Sequence, residues 1–206
     1  MRNEWFGDKR DHLKWTSLLL LAQGAGIQRI VQIAMWTNPQ PPEFRILNID
    51  YPQDDAHDIT GWVSDFFHQH NDLGNIQALG QQLGIEIEVW LQPFTRRARE
   101  AYFRQITERI RESDVPTIWF FDPDTGIAPV GGASDKHVRV PELAVAFDEL
   151  PRGDFLACYQ HAWRAHDWYD QTLDRFRRAC NVPAEHVRDF VSIHASDVLI
   201  LAVQKP

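Results

Sequence analysis

Thr117-Ile118-Trp119-Phe120-Phe121-Asp122-Pro123-Asp124-Thr125-Gly126 is the stretch that decides the fold. A β-branched start followed by an unbroken apolar run, with no alternating polar face, describes a strand buried on both sides. That is the pattern of a parallel sheet covered by helices. The run then gives way at once to Asp122-Pro123-Asp124-Thr125-Gly126, so the strand ends on a turn. Ligands of open α/β sheets bind beyond the carboxyl ends of the strands. A loop of this composition can aim a carboxylate at a ligand, with Pro123 fixing the backbone and Gly126 permitting close approach. The same residue types also make plain tight turns.

Outward from that strand, helix and strand signals alternate, which predicts an α/β fold: a Rossmann-like three-layer sandwich over residues 1–206 as one domain. A first helix starts near Asp8 and stops at Gly24 or Gly26, an acidic start and a glycine stop. Ile27–Met35 reads as a buried strand, Asn38–Pro42 as a proline-forced loop, and Phe44–Ile49 as a short strand ending at Asp50. Ile59–Leu83 holds one or two helices broken around Asn71 to Gly74. Ile85–Leu91 alternates Ile and Glu, the mark of a strand with one polar face near a sheet edge. Thr95 is positioned to cap an arginine-rich helix reaching about Glu112. Beyond the central strand come a helix from Pro141 to Leu150, with proline at its favoured first position, and a strand Phe155–Tyr159 that delivers Gln160 and His161. A helix over Asp167–Cys180 follows. Val187–His194 and Val198–Val203, split by Ala195-Ser196-Asp197, form a closing antiparallel hairpin on a mostly parallel sheet.

Composition limits the partners. The chain has 206 residues, 44% of them hydrophobic, with eight Trp and twelve Phe, enough apolar area for a sizeable core. A net charge of −8 argues against general polyanion binding. A local basic face is nevertheless written into Arg96, Arg97, Arg99, Arg104, Arg109 and Arg111, which also suits a plain solvated helix face. Nucleic acid is thus a partner that net charge does not support. Cys158 and Cys180 sit in apolar contexts and read as buried thiols, with no zinc-binding spacing nearby. Met1-Arg2-Asn3-Glu4 opens without a signal-peptide core, and the longest apolar run, Leu18–Ala22, is too short to span a bilayer. The expectation is a soluble, cytoplasmic protein with no membrane partner.

The strand-end rule selects a small set of residues: Trp36 and Thr37, Asp50, Gln92, Asp122 to Gly126, and Gln160 with His161. In Tyr159-Gln160-His161-Ala162-Trp163-Arg164, the histidine and Arg164 lie three residues apart, where they can hold an anion or move a proton. A histidine hydrogen-bonded for structure reads equally well there. Lys136-His137, in a glycine-rich loop, suits a mobile lid or ordinary surface.

A sheet that closes in an antiparallel pair resembles that of S-adenosylmethionine-dependent methyltransferases. Gly7-Asp8-Lys9-Arg10-Asp11-His12-Leu13-Lys14-Trp15, with the leucine run after it, resembles the opening helix of the J-type ribosomal-RNA adenine methyltransferases. There a short Asp-x-x-Lys-His helix precedes the sheet and helps form the cofactor pocket, and the central strand ends in Asp-Pro-Pro-Tyr. Asp122 and Pro123 match the first two positions of that motif. The resemblance implies that Asp122 accepts hydrogen bonds from a target amine, with Asp124 and His161 beside it as catalytic candidates. Lys14, Thr37, Asp50 and Gln92 would line the cofactor pocket, and Pro123, Gln160 and Arg164 would contact substrate. The chain departs from the family at Asp124 and Thr125, which replace the second proline and the base-stacking aromatic, and at Trp15, which replaces the histidine. Ile33-Ala34-Met35-Trp36-Thr37-Asn38-Pro39 lacks the glycines that let a cofactor approach the backbone, so the cofactor binds differently or has been lost.

Three readings follow. In the first, a methyltransferase-like enzyme uses S-adenosylmethionine and an amine of a nucleic-acid base or a small molecule. Asp122→Ala is then expected to abolish turnover and leave the fold intact. In the second, Asp122, Asp124 and Asp50 gather Mg²⁺ for a nuclease or phosphoryl hydrolase. The third is an inactive Rossmann-like scaffold that binds a partner, which exposed Trp5, Trp36 or Trp163 would favour.

Overall fold

The computed structural model describes residues 7–35, 58–70, 75–132 and 134–206. The expected strand over Phe44–Ile49 and the candidates Trp5, Trp36, Thr37 and Asp50 lie outside them.

Among the described residues, six strands form one sheet in the order β2-β1-β3-β6-β8-β7. They are β1 (Arg29–Ile33), β2 (Glu86–Trp90), β3 (Thr117–Phe121), β6 (Phe155–His161), β7 (Val187–Phe190) and β8 (Val198–Gln204). The first four are parallel, with Ile33 opposite both Trp90 and Phe121 in register. β8 runs antiparallel to both β6 and β7. The mostly parallel sheet with an antiparallel close is therefore present, and among the described strands β2 lies at the edge, as its Ile/Glu alternation predicts. The closing hairpin is shorter than expected: β7 ends at Phe190, and Ile193–Ala195 is a 3₁₀ turn. Two elements that the sequence did not announce are the two-residue strands β4 (Gly126–Ile127) and β5 (His137–Val138), paired in parallel beside the main sheet.

The apolar strands feed two cores. Ile118 and Phe120 of β3 face one side with Phe155, Ala157, Val198 and Ile200. Trp119 and Phe121 face the other with Leu156, Cys158, Leu199 and Leu201. A strand that buries both faces needs helices on both, and it has them. Helices α1 (Lys9–Ala25), α2 (Ile59–Gln69) and α3 (Gln77–Gln81) cover the first side. Helices α4 (Arg99–Arg111), α5 (Val140–Glu149) and α6 (Trp168–Cys180) cover the second. Cys158 and Cys180 are buried free thiols, and burial pushes the Cys180 thiol up to about 12.

Helix α1 is set by its ends. The Asp8 carboxylate accepts from the amides of Arg10 and Asp11 at 2.8 and 3.0 Å, and Gly26 closes the helix in the left-handed conformation. Its leucines other than the exposed Leu20 pack inward, yet Asp11, His12 and Lys14 in its first half are buried too. His12 is tied to α2 by a 2.7 Å contact with the Ser64 hydroxyl. Helix α4 begins later than expected: Thr95 accepts from the Ala98 amide at 3.2 Å, which shapes the turn before the helix rather than capping the helix itself. Among the described residues, no helix is long and apolar enough to cross a membrane.

Candidate active site

The loop after β3 is held from every side. The Asp122 amide donates to the Ile33 carbonyl at 3.0 Å, which extends the β1 ladder by one bond. The Thr125 amide and hydroxyl both donate to the Lys136 carbonyl, at 3.0 and 2.8 Å. The Thr125 carbonyl in turn accepts from the His161 amide at 3.1 Å. Gln160 lies underneath. Its Oε1 accepts from the Ile127 amide at 2.8 Å, and its Nε2 donates to the carbonyls of Thr125 and His161. Gly126 has φ +113°, and a Cβ there would sit 2.4 Å from the Gln160 side chain. Glycine is required at this position both for its backbone angle and for that close approach.

Within this frame Asp122 is only 3% exposed, and Lys14, equally buried, faces it. The Lys14 ammonium donates to Asp11 Oδ1 at 2.6 Å and to Asp122 Oδ2 at 2.9 Å. Gln32 Nε2 donates to the same Asp122 Oδ2 at 2.6 Å. Two carboxylates thus share one ammonium. Burial pushes the Asp11 carboxyl up, as do the charges of Asp8 and Asp122, and Lys14 only partly offsets this. Burial acts to lower the Lys14 ammonium, but the two carboxylates override it and hold it above the usual lysine range. Both hydrogen bonds to the Asp122 carboxylate fall on Oδ2, which leaves Oδ1 for a ligand.

Asp122 stands at a cleft. A cleft of about 340 Å³ is lined by Asp122, Pro123, Asp124 and Thr125 from the loop, by Asp8, Arg10, Asp11 and Lys14 from α1, and by Lys136, Tyr159 and His161. The volume suits a small molecule or a single side chain or base. One wall is fixed by Asp197, just before β8. Its Oδ2 accepts from Arg10 Nε and Nη2 at 3.1 and 2.6 Å, and His161 Nε2 lies 3.5 Å away. His161 Nδ1 lies 2.9 Å from the Ala162 carbonyl, and Nε2 faces the Asp197 carboxylate.

The predicted residues divide cleanly. Asp122, Pro123, Asp124, His161 and Lys14 come together at the cleft. Gln160 is buried and bonded to loop backbone instead of lining the cleft, and Gln92 and Arg164 are exposed away from it. Lys136-His137 is not a free flap: His137 belongs to β5, and the Lys136 carbonyl anchors Thr125. Trp163 is half-buried, with the Arg175 guanidinium 4.8 Å over its ring. Arg10 and Asp11 stand in the Gly7–Trp15 motif and Asp197 in the hairpin turn without a site role assigned to them, and Gln32 has none either. Gln32, a polar residue inside the apolar run Ile30–Ile33, was the available signal. Asp122→Ala would leave the buried Lys14 short of one partner, so a cost in stability is expected alongside any loss of turnover. Among the described residues no three His, Cys, Asp or Glu side chains gather in a way that could hold a metal ion.

The end of β1 tests the fit of a cofactor. Met35, 1% exposed, takes φ +40°, a left-handed conformation that glycine usually supplies. The left-handed turn at the end of β1 is therefore made by a methionine whose side chain is buried in the core. The loop after it, with Thr37 and Asp50, lies outside the described residues.

No family model matches the sequence, and no curated protein does. Among solved structures, the chain is similar to a DUF574 family protein from Streptomyces avermitilis, at 13% identity and a TM-score of 0.38 over 96% of this chain and 83% of that one. It is also similar to a candidate methyltransferase from Thermobifida fusca, at 11% identity and a TM-score of 0.40 over 95% of this chain and 79% of that one.

Proposed function

We propose that the chain is a methyltransferase-like enzyme whose acceptor site is the cleft at the ends of β3 and β6. The observation that carries this reading is the Asp122 carboxylate at the cleft, fixed by Lys14 and Gln32 through bonds that both fall on Oδ2. A carboxylate positioned in advance, and shielded from bulk water, can accept a hydrogen bond from an acceptor amine and orient its lone pair without reorganising. Arg10, through Asp197, sets the wall opposite, and His161 stands at the lip to exchange a proton with solvent.

The donor side in this reading is the end of β1, after the left-handed turn at Met35. S-adenosylmethionine bound there would supply an electrophilic methyl group. Finer identity within this reading, including the J-type ribosomal-RNA methyltransferases, turns on a base-stacking ring that Thr125 does not provide.

Calorimetry with S-adenosylmethionine and S-adenosylhomocysteine, beside nucleotides and Mg²⁺, tests the proposal. Saturable binding of the two adenosyl compounds is expected. At about a hundredfold excess over its dissociation constant such a ligand also stabilises the fold by roughly 2.7 kcal/mol, visible as a thermal shift. A response to Mg²⁺ alone would favour the phosphoryl-hydrolase reading, and no response to any of these ligands the partner-binding scaffold.

A further inference from the structure

Six arginines crowd residues 96–111 of a chain whose net charge is −8. Three are balanced: Arg99 by Glu142, Arg109 by Glu88 and Arg111 by Glu149. Arg104, with its side chain 71% exposed, reaches only Glu108 at 3.9 Å. Among the described residues Arg96, Arg97 and the neighbouring Arg139 form no ion pair. Arg96 and Arg97 also precede the start of α4 at Ala98, the end of a helix where its dipole disfavours cations. Folding gains nothing from charge placed there.

A groove lies between α4 and α5 on this face. It holds about 440 Å³ and is lined by the apolar Phe103, Pro141 and Val145, by Arg104, Arg111 and Arg139, and by the acidic Glu100 and Glu142. Val145 is 53% exposed although it points from a helix whose other apolar residues are mostly buried. Beneath the groove the buried Arg99 donates to Glu142 and, at 2.8 Å, to the His137 carbonyl. The groove therefore backs onto β5, the strand beside Lys136 that braces the loop of the cleft.

We propose that this groove docks an acidic amphipathic segment of a partner protein. Of the guanidiniums at the groove, Arg139 forms no ion pair and Arg104 only a long one, and these two call for carboxylates, because Arg pairs them in a planar, two-pronged geometry. The apolar lining calls for one or two large side chains as anchors, which a nucleic-acid backbone does not offer. Area and charge together fit a helix or strand with acidic residues flanking an apolar face.

Fluorescence anisotropy on the full chain tests it. The probe is a labelled peptide of about 16 residues, with leucines at helical i, i+4 spacing and glutamates between them. Arg104→Glu, Arg139→Glu and Val145→Asp are surface changes that should leave thermal unfolding unaltered. Each is expected to weaken peptide binding about tenfold or more, the equivalent of roughly 1.4 kcal/mol. A lysine-for-glutamate peptide should not bind. The proposal is overturned by the absence of saturable binding, or by binding that Val145→Asp leaves unchanged, which would mark plain charge attraction. Tighter binding of a single-stranded oligonucleotide of equal charge would overturn it as well.

Discussion

Lys14 is where the chain concentrates its electrostatic risk. A buried ammonium is tolerable only with partners close by, and here both partners are aspartates with their own desolvation cost. Lys14→Met removes the shared cation and leaves Asp11 and Asp122 facing each other, so a loss of about 3–5 kcal/mol is expected in urea unfolding. Asp122→Asn keeps the shape and leaves Asp11 to balance the ammonium. It should unfold close to wild type, whereas Asp122→Ala should not. Unchanged stability in Lys14→Met would mean that the three groups are not coupled. Part of this arrangement was legible: Asp122 stands out after an apolar strand, and Lys14 matches a family position. Gln32, and the role of Asp11 in the same motif, were not, because nothing local says that a helix and a strand will meet at one carboxylate.

At the scale of elements, the loop and its braces act as one unit. Two two-residue strands, β4 and β5, and one buried glutamine hold Asp122 to Gly126 against the sheet. Gly126→Ala places a methyl group against Gln160, whose amide cannot swing away without breaking three bonds to backbone. A loss of about 1–3 kcal/mol is expected, together with faster amide exchange at Thr125 and Ile127. An unaltered melting temperature and unaltered exchange would show that the loop gives way freely. Long elements were readable because burial writes a period over many residues: the fully apolar β3 and the glycine-ended α1 follow from sequence. Strands of two residues write no period. Gln160 was therefore noticed for its place at a strand end and given the wrong neighbours.

Across the whole molecule, the ion pair of Arg10 with Asp197 joins residues 187 apart and closes the opening helix onto the last strand. Burial pushes the Asp197 carboxyl up, but the hydrogen bond and charge of Arg10, with His161 adding to them, hold it below the ordinary carboxylate range. A carboxyl depressed in the folded state binds fewer protons there than in the unfolded chain. Its contribution is therefore present above about pH 4, the unfolded value, and lost as pH falls through the lower folded value. Asp197→Asn should lie below wild type in stability at neutral pH, with the gap closing under acid; a gap constant with pH would contradict this. The sheet order itself was only half legible, since alternation of helix and strand gives the class but long-range pairing decides which strands are neighbours. The most direct test of the acceptor cleft is transfer of a labelled methyl group from S-adenosylmethionine to amine acceptors by wild type and by Asp122→Asn, with adenosyl-cofactor affinity measured in parallel. Transfer by wild type is expected to fall by about a hundredfold or more in the variant while cofactor affinity holds. Equal transfer by the two proteins, or a wild type that binds no adenosyl cofactor, would contradict the account.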